Sequence, residues 1–144
     1  MARDTPLVGG CLCGAVRYEI AGALRQASHC HCAMCRKHHG AAFGSYASAR
    51  RAEFRWTAGE TLVGRFASSP GIERGFCTRC GSTLFWDAVE NRESFGIALG
   101  TLDGDPGVRP SLHIFVDSKA PWYELVDDLP KHRTSPRAET AKPA

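Results

Sequence analysis

No apolar run in this chain approaches the roughly 20 residues that cross a bilayer as a helix. The opening stretch, Met1-Ala2-Arg3-Asp4-Thr5-Pro6, has none of the apolar core of a secretory signal. Together these absences argue against a membrane partner and predict a cytoplasmic protein. Three familiar signatures are also missing: a phosphate-binding P-loop, a Rossmann glycine fingerprint and a Gly-x-Ser-x-Gly elbow. No internal repeat is evident, and 144 residues make one domain. Charge of one sign is scarce too. The formal net charge is +3. That excess sits in the last fourteen residues, where Lys131, Arg133, Arg137 and Lys142 outnumber Glu139. The body is neutral, which argues against a nucleic-acid partner. The same stretch, 131–144, has no large apolar side chain and is predicted to be a disordered basic tail.

What is present is cysteine. The seven cysteines fall in three clusters: Cys11-Leu12-Cys13, Cys30-His31-Cys32-Ala33-Met34-Cys35 and Cys77-Thr78-Arg79-Cys80. In a reducing compartment clustered thiols read as metal ligands before disulfides, and an odd number cannot all pair. Cys11 and Cys13 with Cys77 and Cys80 make four thiolates, enough for a closed tetrahedral zinc site at about 2.3 Å per sulfur. Such a site joins distant parts of the chain and contributes to folding. Cys30, Cys32 and Cys35 make only three. An extended Cys-x-Cys running into a helical turn can aim all three sulfurs at one ion and leave one coordination position for an outside ligand, the layout of a catalytic zinc. His29, His31, His38 or His39 could instead close that site, and an oxidised or metal-free cluster is a further alternative. Zinc is preferred over an iron–sulfur cluster, which would need another ligand. Zn²⁺ with three thiolates is formally −1, a weak Lewis acid. It suits the capture of an incoming thiol better than amide hydrolysis.

Other residues carry weaker signals. Arg36 and Lys37 follow the three-cysteine cluster, and Arg36 is the candidate contact for an anionic substrate. Arg74 and Arg79 flank the Cys-x-x-Cys, with solvated surface charge the simpler reading. Trp56, Trp86 and Trp122 read as core or cleft wall, and His113 as a structural histidine.

Short alternating segments predict strands at Ala15–Ile20, Ala42–Ala47, Glu53–Trp56, Leu62–Phe66, Glu73–Cys77, Thr83–Trp86, Ser94–Leu99 and Leu112–Val116, separated by Gly- and Pro-containing turns. One short helix is predicted at Ala33–His39, ended by Gly40. The class is therefore mostly β, with packed antiparallel sheets stabilised by zinc.

In order, Gly10-Cys11-Leu12-Cys13-Gly14-Ala15-Val16-Arg17-Tyr18, Cys30-His31-Cys32-Ala33-Met34-Cys35-Arg36 and Phe76-Cys77-Thr78-Arg79-Cys80-Gly81-Ser82 resemble the glutathione-dependent formaldehyde-activating enzyme family, which also contains centromere protein V-like members. Leu112–Val116 with Pro121-Trp122-Tyr123 resembles the family's closing segment. The resemblance covers residues 7–130. It implies a fold related to B-type methionine sulfoxide reductases, a structural zinc at Cys11, Cys13, Cys77 and Cys80, and a reaction-associated zinc at Cys30, Cys32 and Cys35. It also implies carbon–sulfur lyase chemistry of the S-(hydroxymethyl)glutathione synthase type, joining glutathione to formaldehyde. The alternative is a non-catalytic, zinc-stabilised protein-binding module.

Overall fold

The computed structural model describes residues 2–136. Among them the chain forms β1 (Ala2–Gly10), β2 (Arg17–Gly22), β3 (Arg25–Cys30), α1 (Ala33–His39), β4 (Gly44–Arg50), β5 (Phe54–Ala58), β6 (Val63–Ser69), β7 (Ile72–Cys77), β8 (Thr83–Ala88), β9 (Ser94–Ala98) and β10 (His113–Ile114), with short 3₁₀ turns between some of them. The strands build two sheets. One has the order β1-β2-β5, the other β10-β3-β4-β9-β8-β7-β6. The predicted antiparallel arrangement holds for every pair of neighbours but one. β10 arrives after a long connection and lies parallel to β3, pairing His113 with His29 and Ile114 with Cys30.

Period-two alternation explains how the sheets face each other. Val16, Tyr18 and Ile20 are fully buried, whereas Arg17 and Glu19 point away from the core. Leu84, Phe85 and Ile97 meet them from the larger sheet. Tyr18 stacks on Phe54 at 5.3 Å, and Phe54 meets Phe95 edge-on at 5.0 Å. Each such side chain, fully buried, contributes about 1.5–3 kcal/mol.

The helix forms where the sequence predicts it, and both of its ends are capped. The Cys32 sulfur accepts from the Cys35 backbone N–H at the start, and Gly40, at φ 62°, closes the end with its N–H on the Arg36 carbonyl. Only glycine adopts that conformation without strain. Seven residues are too few to be helical alone, so contacts with the sheet hold α1 in place. Gly44 makes one of them possible: a Cβ there would lie 2.6 Å from His39 Nε2.

Two strands escaped the pattern reading. β1 is broken by an irregularity between Ala2 and Leu7, and β3 is polar and carries a bulge between Arg25 and Ser28. The beginning of the predicted tail is also structured. The His132 and Arg133 carbonyls accept from Val116 and Asp117, the Thr134 carbonyl accepts from Phe115, and the His132 N–H donates to His113. Ordered chain therefore continues past 130, because backbone pairing with the 113–117 segment needs no apolar side chains. The rest of the predicted tail, 137–144, lies outside the described residues. No helix among the described residues is long and apolar enough to cross a membrane.

Candidate metal centres and active site

The end of β1 and the end of β7 bring the outer two cysteine clusters together. The sulfurs of Cys11, Cys13, Cys77 and Cys80 all lie within 4.8 Å of one another. Four sulfurs tetrahedrally placed around zinc would be about 3.8 Å apart, close to the 3.5 Å between Cys11 Sγ and Cys13 Sγ. Backbone and side-chain donors are already aimed at these sulfurs. The Val16 N–H reaches Cys11 Sγ at 3.2 Å, and the Ser82 hydroxyl lies 3.2 Å from Cys80 Sγ. That hydroxyl, followed by nearby backbone N–H groups, pulls the Cys80 thiol down to about 5. Donor type, number and spacing fit a closed zinc site. It would tie the three-stranded sheet to the seven-stranded one.

The middle cluster is built by a strand running into a helix. Cys30 ends β3, Cys32 caps α1, and Cys35 lies in its first turn. Their three sulfurs also lie within 4.8 Å of one another. Hydrogen bonds from Cys30 and then Cys35 draw the Cys32 thiol down to about 2, while the bond to Cys32 pushes Cys30 up. Three thiol donors at this spacing fit a zinc ion. Among the described residues no histidine nitrogen joins the three sulfurs within that distance, so closure by His29, His31, His38 or His39 is not assembled. His29 bonds Ser45 at 2.8 Å, and His39 bonds the Tyr46 hydroxyl at 2.6 Å. His31 turns away from the cluster, its Nε2 2.8 Å from His113 Nδ1. His113, 1% exposed, also bonds Asp127 at 2.9 Å and is structural, as predicted.

The charge that faces this cluster is not the one the sequence suggests. Arg74 is only 3% exposed. Its Nη1 donates to Cys35 Sγ at 3.3 Å and its Nε to Ser68 Oγ at 3.0 Å. The reading of Arg74 as solvated surface charge is therefore corrected; Arg79 is exposed as expected. Arg36, the predicted anion contact, does not line the cavity onto which the three cysteines open, and its Nε is buried without a hydrogen-bond partner. The signal for Arg74 was strand alternation. It lies two residues from Ile72 on β7, and both reach the same cavity.

Cys30, Cys32, Cys35 and Arg74 open onto a cavity of about 510 Å³. Met34, Ile72, Trp86, Phe95, Ile114 and Phe115 supply apolar walls, and Ser28, Tyr46 and Ser48 polar ones. Trp86 is thus cleft wall and Trp56 packs on the core, but Trp122 is 70% exposed and is neither. Ser135, from the segment expected to be tail, also lines the cavity. Burial raises the Tyr46 phenol well above its ordinary value, and burial, followed by the charges of His38 and Arg74, lowers His39 to about 4. The pair is therefore a protonated phenol beside a neutral imidazole at pH 7. Among the described residues, both non-glycine residues with left-handed backbone, Gln26 at φ 53° and Phe115 at φ 58°, line this cavity. Strained backbone of that kind concentrates at functional sites.

Fold and site together define a mostly-β protein with two cysteine-built candidate metal centres, one closed and one opening on a cavity. The family model described as glutathione-dependent formaldehyde-activating enzyme matches residues 6–118, and the chain belongs to that family. A Schizosaccharomyces pombe protein named as an uncharacterized lyase is 25% identical over 119 residues, covering 83% of this chain and 85% of its own. A Halomonas elongata protein provisionally named a glutathione-dependent formaldehyde-activating enzyme is 30% identical over 134 residues, covering 83% of this chain and 80% of its own. A crystal structure of a Rhodobacter sphaeroides protein superposes with a TM-score of 0.58 at 27% identity, over 68% of this chain and 89% of the other.

Proposed function

We propose that this chain is a cytoplasmic, zinc-dependent carbon–sulfur lyase of the S-(hydroxymethyl)glutathione synthase type. It forms or cleaves the adduct between a thiol such as glutathione and an aldehyde such as formaldehyde. The convergence of Cys30, Cys32, Cys35 and Arg74 on one cavity wall carries this reading. Cys11, Cys13, Cys77 and Cys80 hold a structural zinc. Zinc held by Cys30, Cys32 and Cys35 supplies a position where an incoming thiol is kept as thiolate near neutral pH. The fold's kinship to B-type methionine sulfoxide reductases is part of the same proposal.

The chain's own groups serve the remaining steps. Arg74 sets a buried positive charge against the thiolate cluster, so that a further anionic sulfur is not repelled. In the forming direction the thiolate sulfur attacks the carbonyl carbon, and the carbonyl electron pair moves to oxygen. Tyr46 Oη gives that oxygen its proton, completing the hydroxyl, and the proton released by the incoming thiol restores the phenol. His39 Nε2 fixes the phenol in place. In the cleaving direction the hydroxyl proton leaves through the same Tyr46 Oη as the carbon–sulfur bond breaks, the phenol passing its own proton on to the departing sulfur. The apolar walls limit competing water.

Exchange of ¹³C-formaldehyde into glutathione, followed by NMR at equilibrium, tests the proposal against the spontaneous reaction. The zinc-loaded protein should accelerate exchange. Cys35→Ser should return it to the spontaneous rate, and Tyr46→Phe should remove roughly 100-fold of the acceleration. Exchange at the spontaneous rate with the zinc-loaded wild type refutes the lyase reading and leaves the binding-module alternative.

A further inference from the structure

A cavity of about 510 Å³ is of the size that holds a drug-sized ligand, far more than a one-carbon aldehyde needs. Its far end is informative. Gln26, Ser48 and Ser94 line both this cavity and a second one of about 130 Å³, whose other walls are Arg25, Arg50 and Glu93. The two spaces therefore adjoin, with sulfur lining the larger and charge lining the smaller. The charged end is available: among the described residues the side chains of Arg25, Arg50 and Glu93 make no ion pair. All three are exposed, and nothing in the core requires their charges. The backbone is bent to present them. Gln26, in the left-handed region, sits within the bulge of β3 directly after Arg25, and Arg25 pairs across to Ser48, two residues before Arg50.

We infer that this second cavity is a subsite for the α-amino-α-carboxylate end of a peptide thiol. Arg25 and Arg50 take the carboxylate, and Glu93 takes the ammonium. The inference rests on the thiol-lyase reading and names the substrate end that reading leaves open. Length supports it. Arg25 opens β3 and Cys30 closes it, a run of about 16 Å at about 3.3 Å per residue. The reach of the arginine side chains shortens that span, and a cysteine sulfur lies about eight bonds, about 10 Å extended, from the α-carboxylate of a γ-glutamyl residue joined to it. Charge supports it as well. Arg74, the cation at the sulfur end, is already committed to Cys35 and Ser68. The carboxylate of a bound thiol therefore finds its cations at the other end. Small uncharged thiols can reach the cysteines but leave this end unused.

The test compares glutathione with 2-mercaptoethanol as thiol substrates of the zinc-loaded full chain. In the Arg25→Ala/Arg50→Ala double variant the kcat/KM ratio of glutathione over 2-mercaptoethanol should fall about tenfold or more, as expected for lost charge-assisted hydrogen bonds. Arg25→Lys/Arg50→Lys should keep most of that ratio. An unchanged ratio in the alanine variant overturns the subsite while leaving the lyase reading intact. If the wild type turns over neither thiol, the lyase reading fails. The subsite is then judged by calorimetric binding of S-methylglutathione, which keeps the charged ends but has no free thiol. Binding weakened about tenfold by the double alanine substitution upholds the subsite; equal binding, or none by the wild type, overturns it.

Discussion

Replacing Arg74 with methionine removes the buried cation set against the three-cysteine cluster and keeps an unbranched side chain in its place. In the native protein Arg74 Nη1 lies 3.3 Å from Cys35 Sγ, and the residue is 3% exposed, so bulk water screens the interaction poorly. A zinc ion with three thiolates is formally −1, and Arg74 brings the local sum to zero. A hydrogen bond to a charged group contributes about 1.5–3 kcal/mol. At about 1.4 kcal/mol per decade, its loss corresponds to roughly 10- to 100-fold weaker zinc binding at this cluster. The hydrogen bonds of Arg74 go to Cys35 and Ser68 and not to the four-cysteine site, which should keep its affinity. Titrating the zinc-loaded protein with a chromophoric chelator resolves the two ions. In Arg74→Met only the more easily removed zinc should shift, by that factor, and Arg74→Lys should fall in between. A folded Arg74→Met protein whose two zinc ions leave as they do from wild type refutes the electrostatic argument.

Three further outcomes follow from the same geometry. Cys77→Ser removes a fully buried member of the four-sulfur cluster proposed to hold the structural zinc. It should abolish one zinc equivalent and lower Tm by more than 10 °C in a differential scanning measurement, about 3 kcal/mol or more. Tyr18→Phe deletes the hydroxyl that lies 2.6 Å from Thr101 Oγ1 and should cost about 1 kcal/mol, read as a Tm drop of about 3–4 °C. Burial lowers both His31 and His39 to about 4 from 6.5. Between those values the unfolded chain binds protons that the folded chain does not, so stability should fall as pH drops from 6.5 toward 4 and level off above 6.5. Urea midpoints at pH 7 and pH 5 should therefore differ less in His39→Gln than in wild type; equal differences would contradict the assignment.

The parts legible in the sequence were those with a short-range rule behind them. Gly40 marked the helix end because only a glycine relaxes into its left-handed conformation. Tyr18 and Ile20, with Val16 just before them, marked the core face of β2 because side chains alternate across a sheet. The cysteine sets that could hold a metal were legible because ligand spacing is local within each pair or triplet. What was hidden depends on pairing at a distance. β3 is polar and bulged, so no alternation announces it, yet it carries Cys30 and half of the proposed subsite. Arg74 looked like surface charge because its partner, Cys35, is 39 residues away. Tyr46 and His39 became a pair only when β4 packed beside α1. Arg36 was favoured for adjacency to the cysteines, but α1 turns it away from the cavity. Residues 131–134 pair through their backbones, which composition cannot report.

The central claim is that Cys30, Cys32 and Cys35 hold a zinc ion to which a substrate thiol adds as fourth ligand. X-ray absorption at the zinc edge, on protein with two zinc ions per chain, tests it most directly. The account predicts an average of about 3.5 sulfurs per zinc without thiol, rising to about 4 when glutathione is added. A sulfur count that glutathione leaves unchanged, or histidine scattering at the second zinc in both states, would contradict it.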